Sequence, residues 1–121
     1  MDESLYRRLG GYDAIVAFTT DLLRRLRADD KLGRFWAHRG ADGIAREHQL
    51  LIDYLVHVTG GHMVYTGRDM RLTHAGMGID EEDWGRFIDH VTATAGELGV
   101  GAREGGEVLA FLASIKDECM A

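Results

Sequence analysis

"YTGRDMRLTHAGMGID", residues 65–80, places a histidine where a short helical run gives way to glycines. The run ends at His74, and Gly76 and Gly78 follow it in a chain that has 16 glycines and no proline. A lone histidine near a helix end most often interacts with the terminal carbonyl groups. The alternative is that His74 is positioned to hold a ligand, and the remainder of the sequence has to distinguish the two.

The composition describes one globular domain, residues 1–121, with an acidic balance of charge. Hydrophobic residues make up 45%, charged residues make up 28% and the net charge is −6. This balance argues against nucleic acid and against an anionic membrane as main partners. The N-terminal stretch "MDESLYRR" lacks the apolar run of a signal peptide, and no apolar run is long enough to span a bilayer. Because Cys119 is the single cysteine, we expect a reducing, cytoplasmic location.

Apolar residues recur at intervals of three and four along the chain, which predicts an all-α fold. Asp80 is expected to begin one helix by accepting from the backbone N–H of Asp83, and Gly99 is expected to end it. The segment 29–41 is predicted to be an irregular corner. We predict short helices near 3–9 and 68–75 and four main helices near 12–28, 42–59, 80–98 and 102–118.

The glycine-rich segment 60–79 is long for a connection in a compact domain, and such connections are often functional. Met63, Tyr65, Met70 and Met77 lie within it. Large aromatic and thioether side chains of this kind can line an apolar pocket.

Five motifs in a fixed order carry a family resemblance. They are "SLYRRLGGYDAI" at 4–15, "RADDKLGRFW" at 27–36, "GGHMVYTGRDM" at 60–70, "HAGMGI" at 74–79 and "ELGV" at 97–100. Over nearly its whole length the chain resembles the group I truncated hemoglobins. The resemblance implies a truncated globin, a two-over-two helical sandwich around heme b, with His74 as the proximal iron ligand. The residue chemistry agrees, because an imidazole that binds iron usually has its other nitrogen held by a backbone carbonyl.

The side of the iron opposite His74 departs from the family. Leu23 occupies the position of the usual tyrosine, Phe35-Trp36 replaces a common Phe-Phe pair, and His62 replaces a frequent proline. The register of the distal helix is open. Counting forward from Trp36 places His48-Gln49 where relatives often carry a polar pair, whereas counting backward from Gly60-Gly61 places Leu51 there.

His48 shares a helix face with Ile44, Leu51, Ile52 and Leu55, so we expect it to point inward. Three roles stay open for it: a core histidine, a hydrogen-bond donor to bound oxygen, or a sixth iron ligand. Gln49, on the flank near Asp53, is a weaker candidate for the distal pocket.

The remaining site residues are predicted from the resemblance and from residue type. Arg46 and Arg68 are candidates to pair with the heme propionates, because arginine suits carboxylates. The other residues expected around the cofactor are Phe35, Trp36, Tyr54, Leu55, Met70, Thr73, Met77, Ile79, Trp84 and Phe87. The distal pocket is expected to contain Leu23, His48, Gln49, Leu51 and Ile52.

Three functions follow as hypotheses. The first is reversible binding of dioxygen, nitric oxide and carbon monoxide, with nitric oxide dioxygenase or peroxidase-like activity and a reductase partner if the protein is catalytic. The second is a redox or sensor module whose iron is bound by both His74 and His48. The third is a cofactor-free helical interaction domain.

Overall fold

The computed structural model describes residues 4–61, 70, 74 and 76–120. Within these residues there are helices and no strand. None of these helices is long and apolar enough to cross a membrane. The elements are α1 (Leu5–Leu9), α2 (Tyr12–Ala28), a 3₁₀ helix (Leu32–Trp36), α3 (Ala41–Val58), α4 (Glu81–Glu97) and α5 (Ala102–Met120).

The four predicted main helices are present, and their ends follow the local signals. Asp80 caps α4: its carboxylate accepts from the backbone N–H of Asp83 at 2.8 Å, and the Asp83 carboxylate accepts from the backbone N–H of Asp80 at 3.0 Å. Gly99 ends α4 with a positive φ of 70°, a conformation that favours glycine. The N–H of Val100 then donates to the carbonyl of Ala95 at 2.9 Å, which satisfies one of the last carbonyl groups of the helix.

The corner 29–41 was predicted to be irregular, and this was wrong for residues 32–36, which form the 3₁₀ helix. The 3₁₀ helix begins at the Asp29 carboxylate, whose Oδ1 accepts from the backbone N–H groups of Lys31 at 2.8 Å and Leu32 at 3.0 Å. An aspartate that caps two consecutive N–H groups nucleates a turn of helix. Of the predicted helix 68–75, only Met70 and His74 are described, and both are helical.

The core has two parts that meet along α2. The larger part joins α2, the 3₁₀ helix, α4 and α5, and its buried members are Leu22, Leu23, Leu26, Leu32, Val91 and Leu112. The smaller part lies between α2 and α3 and contains Ile15, Ile52 and Val56. The fold is therefore two helix pairs, α2 with α3 and α4 with α5, joined through α2.

Two sets of contacts fix α1 to the other helices. The backbone N–H of Tyr6 in α1 donates to the carbonyl of Thr59 at 2.8 Å, at the end of α3. Arg8 binds Glu104 at 3.0 Å and also Glu107, which ties α1 to α5. Cys119, in the last turn of α5, is buried, and burial raises the pKa of its thiol to about 11.

Candidate functional site

The His74 imidazole is oriented by its own helical turn. Its Nδ1 lies 2.8 Å from the carbonyl oxygen of Met70. Because a carbonyl oxygen only accepts, Nδ1 carries the proton and the lone pair of the neutral ring resides on Nε2. An imidazole that binds a metal through Nε2 commonly has this tautomer and donates from Nδ1 to a backbone carbonyl, so the chemistry of His74 fits an iron carried by heme. The side chain is half-buried.

Aromatic side chains from the corner and from α4 pack around the larger core cluster. Phe35 and Trp36 stand edge to face with ring centroids 6.3 Å apart, and Trp84 and Phe87 are tilted with centroids 5.3 Å apart. All four are only partly buried although they pack on buried leucines. Broad, partly exposed aromatic walls suit a large planar apolar cofactor.

The structure brings Leu23 and Leu51 to this same cluster. Leu23 is buried in it, and Leu51 packs against it from α3. Neither side chain has a polar group. Of the other expected neighbours, Met70, Met77 and Ile79 are half-buried, whereas Arg68 and Thr73 lie outside the described residues.

Three other residues expected around the cofactor or in the distal pocket are Ile52, Leu55 and Tyr54. Ile52 is buried in the smaller cluster, and Leu55 packs on that cluster rather than on the aromatic walls. Tyr54 contacts Phe111 of α5, with ring centroids 6.0 Å apart. Phe111 itself packs against the larger cluster. The roles expected for Ile52, Leu55 and Tyr54 around the cofactor stay predictions.

Gln49 and Arg46 face away from the apolar cluster. The Gln49 amide donates to Asp53 at 2.9 Å on the exposed side of α3, which is the flank position that its helical spacing predicted. Arg46 is exposed. Its proposed pairing with a propionate stays a prediction.

His48 points inward, as its helix face predicted, and its partner is a residue that the sequence analysis missed. The His48 Nε2 lies 2.8 Å from the hydroxyl oxygen of Thr19, which has no exposed surface. A signal for Thr19 was present in the sequence, since it interrupts the apolar stripe Ile15–Thr19–Leu23 with a polar side chain. That hydroxyl also lies 3.1 Å from the carbonyl oxygen of Val16.

A buried carboxylate holds the corner against α4, and it too was missed. Asp83 is 1% exposed and binds Arg34 at 2.9 and 2.7 Å and Lys31 at 2.8 Å. The Arg34 guanidinium, more than the Lys31 ammonium, holds the pKa of the Asp83 carboxyl well below its usual range, against the effect of burial. This clamp fixes the 3₁₀ helix that carries Phe35 and Trp36.

A second carboxylate stabilises the same corner from the end of α2. Asp29 accepts from Arg86 at 2.9 Å and contacts the His90 Nε2 at 2.7 Å, in addition to the two backbone N–H groups that begin the 3₁₀ helix. The N–H of Leu32 is the largest cause that lowers the pKa of Asp29 below its usual range. The ion pairs of Asp83 and Asp29 thus position the 3₁₀ helix that carries Phe35 and Trp36.

Comparison with known proteins gives consistent matches over nearly the whole chain. A family model described as bacterial-like globin matches residues 4–120. A group 1 truncated hemoglobin of Tetrahymena thermophila is 25% identical over 117 residues, which are 97% of this chain and 94% of the relative. One from Mycolicibacterium paratuberculosis is 25% identical over 115 residues, which are 95% of this chain and 82% of the relative.

Solved structures share the fold. The ferric truncated hemoglobin of Tetrahymena pyriformis aligns with a TM-score of 0.88 at 24% identity, covering 98% of this chain and 99% of that one. The 2/2 hemoglobin of Synechococcus sp., in its cyanomet state with covalently attached heme, aligns with a TM-score of 0.87 at 23% identity, covering 98% of both chains. These similarities confirm the all-α, two-over-two architecture.

Proposed function

Because this chain belongs to the bacterial-like globin family, we propose that it carries heme b on His74 and binds small diatomic gases reversibly at the iron. The observation that supports His74 most directly is its 2.8 Å contact from Nδ1 to the Met70 carbonyl, which leaves Nε2 as a lone-pair donor. When bound, the heme supplies the iron centre at which dioxygen, nitric oxide or carbon monoxide coordinates. Residues of the chain orient the imidazole, pack against the cofactor and determine the polarity of the gas site.

The character of the gas site follows from Leu23 and Leu51. Both are aliphatic and both pack on the cluster that the aromatic walls surround. An aliphatic lining donates no hydrogen bond to a gas that gains partial negative charge, as dioxygen does, whereas carbon monoxide needs little such support. We therefore propose weak retention of oxygen, with faster release than from relatives that carry a tyrosine at the Leu23 position.

Oxidation of nitric oxide to nitrate is a further activity that the resemblance suggests, and it stays a prediction. It would require a separate reductase to return the iron to the ferrous state. Because the lining residues described above give bound oxygen little stabilisation, we place reversible ligand binding ahead of this reaction. We place the redox or sensor role with two histidine ligands behind it as well, because the His48 Nε2 is engaged by Thr19.

The test is hemin binding by three proteins: wild type, His74→Ala, and His38→Ala as a matched control at an exposed histidine of the corner. We expect a sharp Soret band and slow transfer of hemin to an acceptor protein for wild type and the control. His74→Ala should lose both, and added imidazole should restore the Soret band. Equal spectra and equal hemin retention in wild type and His74→Ala would refute the assignment.

A further inference from the structure

The Thr19 hydroxyl is hydrogen-bonded to Nε2 of His48, the ring nitrogen through which His48 would bind iron. A hydroxyl has a single proton. If it donates to the Val16 carbonyl at 3.1 Å, its oxygen accepts from the Nε2–H of His48 at 2.8 Å. If it donates to His48 instead, it uses the Nε2 lone pair. In either arrangement Nε2 cannot bind a metal until the contact with Thr19 breaks.

This polar pair lies beside the proposed gas site. On α2, Thr19 is one helical turn before Leu23; on α3, His48 is one turn before Leu51. Both leucines pack on the same apolar cluster. His48 is half-buried at the seam between α2 and α3, so a change of its χ1 rotamer is the motion that would move the imidazole along α3 toward Leu51.

We propose that Thr19 is a positioning residue that holds His48 off the heme iron and keeps the sixth coordination position open to gases. The inference rests on the proposed function, because it requires heme bound at His74. Thr19 is suited to this role because it is completely buried and lies between helices, where the hydroxyl cannot be replaced by solvent. The Val16 carbonyl also limits the directions in which its oxygen can accept.

Replacing the hydroxyl by a methyl group should release the imidazole. In Thr19→Val the side-chain shape is preserved, but the Nε2 of His48 faces an apolar group and loses its partner. A polar atom left unsatisfied against the completely buried side chain at position 19 is disfavoured on the order of ten-fold or more in the equilibrium. The balance then shifts toward the conformation in which His48 finds another partner, and the iron is the strongest one available.

The experiment measures the ferric spin state of the full chain loaded with hemin, by absorption and electron paramagnetic resonance, and carbon monoxide binding after flash photolysis. We expect wild type and Thr19→Ser to be high-spin with a single fast binding phase. Thr19→Val should show a low-spin fraction raised about ten-fold and a slow phase limited by dissociation of His48. The double variant Thr19→Val/His48→Ala should return to high-spin. Thr19→Ala gives a second removal of the hydroxyl, and circular dichroism verifies that each variant is folded.

Each other result overturns the inference in a recognisable way. A folded, hemin-bound Thr19→Val with the wild-type spin state would show that Thr19 does not restrain His48. A low-spin signal that persists in the double variant would mean that another group binds the iron. A low-spin wild type that becomes high-spin in His48→Ala would make His48 the resting ligand. Failure of wild type to bind hemin specifically would refute the proposed function itself, and the inference with it.

Discussion

Asp83 is a position where the structure predicts a large effect of a substitution that preserves side-chain size. Its carboxylate is 1% exposed and accepts four hydrogen bonds: two from Arg34, one from Lys31 and one from the backbone N–H of Asp80. In Asp83→Asn one oxygen becomes an NH₂ group, which has no acceptor to offer and must face positively charged donors. The side chain keeps its size, so the change removes charge and acceptors without leaving a cavity.

The magnitude follows from the number of charge-assisted bonds lost and from the exposure of their donors. Hydrogen bonds to charged groups contribute about 1.5–3 kcal/mol each, and removing one partner of a buried pair costs about 3–5 kcal/mol. The side chains of Lys31 and Arg34 are 25% and 45% exposed, so both cations can regain water, which lowers the cost. We therefore expect Asp83→Asn to reduce the free energy of unfolding by about 2–3 kcal/mol. For a chain of this size that is roughly an 8–12 °C fall in the melting temperature.

The same carboxylate predicts a dependence on pH. The pKa of Asp83 in the folded protein lies below its unfolded value, so the stabilisation is fully present above the unfolded pKa of about 3.9. It is lost as the pH falls through the folded pKa. Urea denaturation followed by circular dichroism, at equal hemin saturation, should show a difference between wild type and Asp83→Asn that is largest near neutral pH and shrinks below about pH 4.

Asp80→Asn is the matched control, because Asp80 belongs to the same network but its side chain is 59% exposed. Asparagine caps helices about as well as aspartate, so this change removes only a solvent-screened ion pair with Lys31. Its denaturation midpoint should stay close to that of wild type. If Asp83→Asn costs no more than Asp80→Asn, or if the cost does not diminish in acid, the buried-clamp reasoning is refuted.

Three further predictions address the gas site, the backbone and the corner. Leu23→Tyr should slow oxygen dissociation about five-fold in stopped-flow experiments, the effect of about one neutral hydrogen bond, and an unchanged rate would contradict the proposed distal lining. Gly61→Ala should lower stability by about 1–3 kcal/mol, because its Cβ would lie 2.5 Å from Val56 Cγ1. Gly85→Ala should raise stability by about 0.5–1 kcal/mol, because a Cβ there would meet nothing within 4 Å and alanine favours the helix. Thermal melts that do not separate the two variants would count against the packing argument. Asp29→Ala should cost about 2 kcal/mol in urea denaturation, because it removes the two backbone caps together with the contacts to Arg86 and His90; a wild-type midpoint would show that the corner is stable without this carboxylate.

The parts of the fold that sequence reasoning predicted depend on neighbours in the chain. The cap formed by Asp80 and Asp83 and the glycine stop at Gly99 are encoded within a few residues, and the structure has them where they were expected. The same holds for the orientation of His74, whose partner Met70 is four residues away on one helical turn. Local patterns of this kind fix backbone geometry independently of the rest of the fold.

The partners that sequence reasoning missed lie far apart in the chain. The contact between Thr19 and His48 spans 29 residues, and the one between Arg34 and Asp83 spans 49. Such pairs exist only once the helices are packed, and an acidic residue in the first turn of a helix is usually explained by the helix dipole alone. The sequence analysis used only the backbone N–H of Asp83, whereas its side chain is the buried centre of an ion-pair network.

The packing of α3 agrees better with one of the two ways of aligning this helix with the family, the one counted backward from Gly60-Gly61. Counting back from Gly61 places Leu51 at the distal position, and the structure packs Leu51 on the cluster that contains Leu23, whereas Gln49 is exposed. The C-terminal end of α3 is fixed: the N–H of Gly61 donates to the carbonyl of Val56 at 2.8 Å, and a Cβ on Gly61 has no room. The connection of residues 37–40 before α3 is exposed, so its length can change at little cost. A helix transmits register rigidly from its anchored end, so counting back from the closely packed Gly61 is better supported than counting forward across the corner.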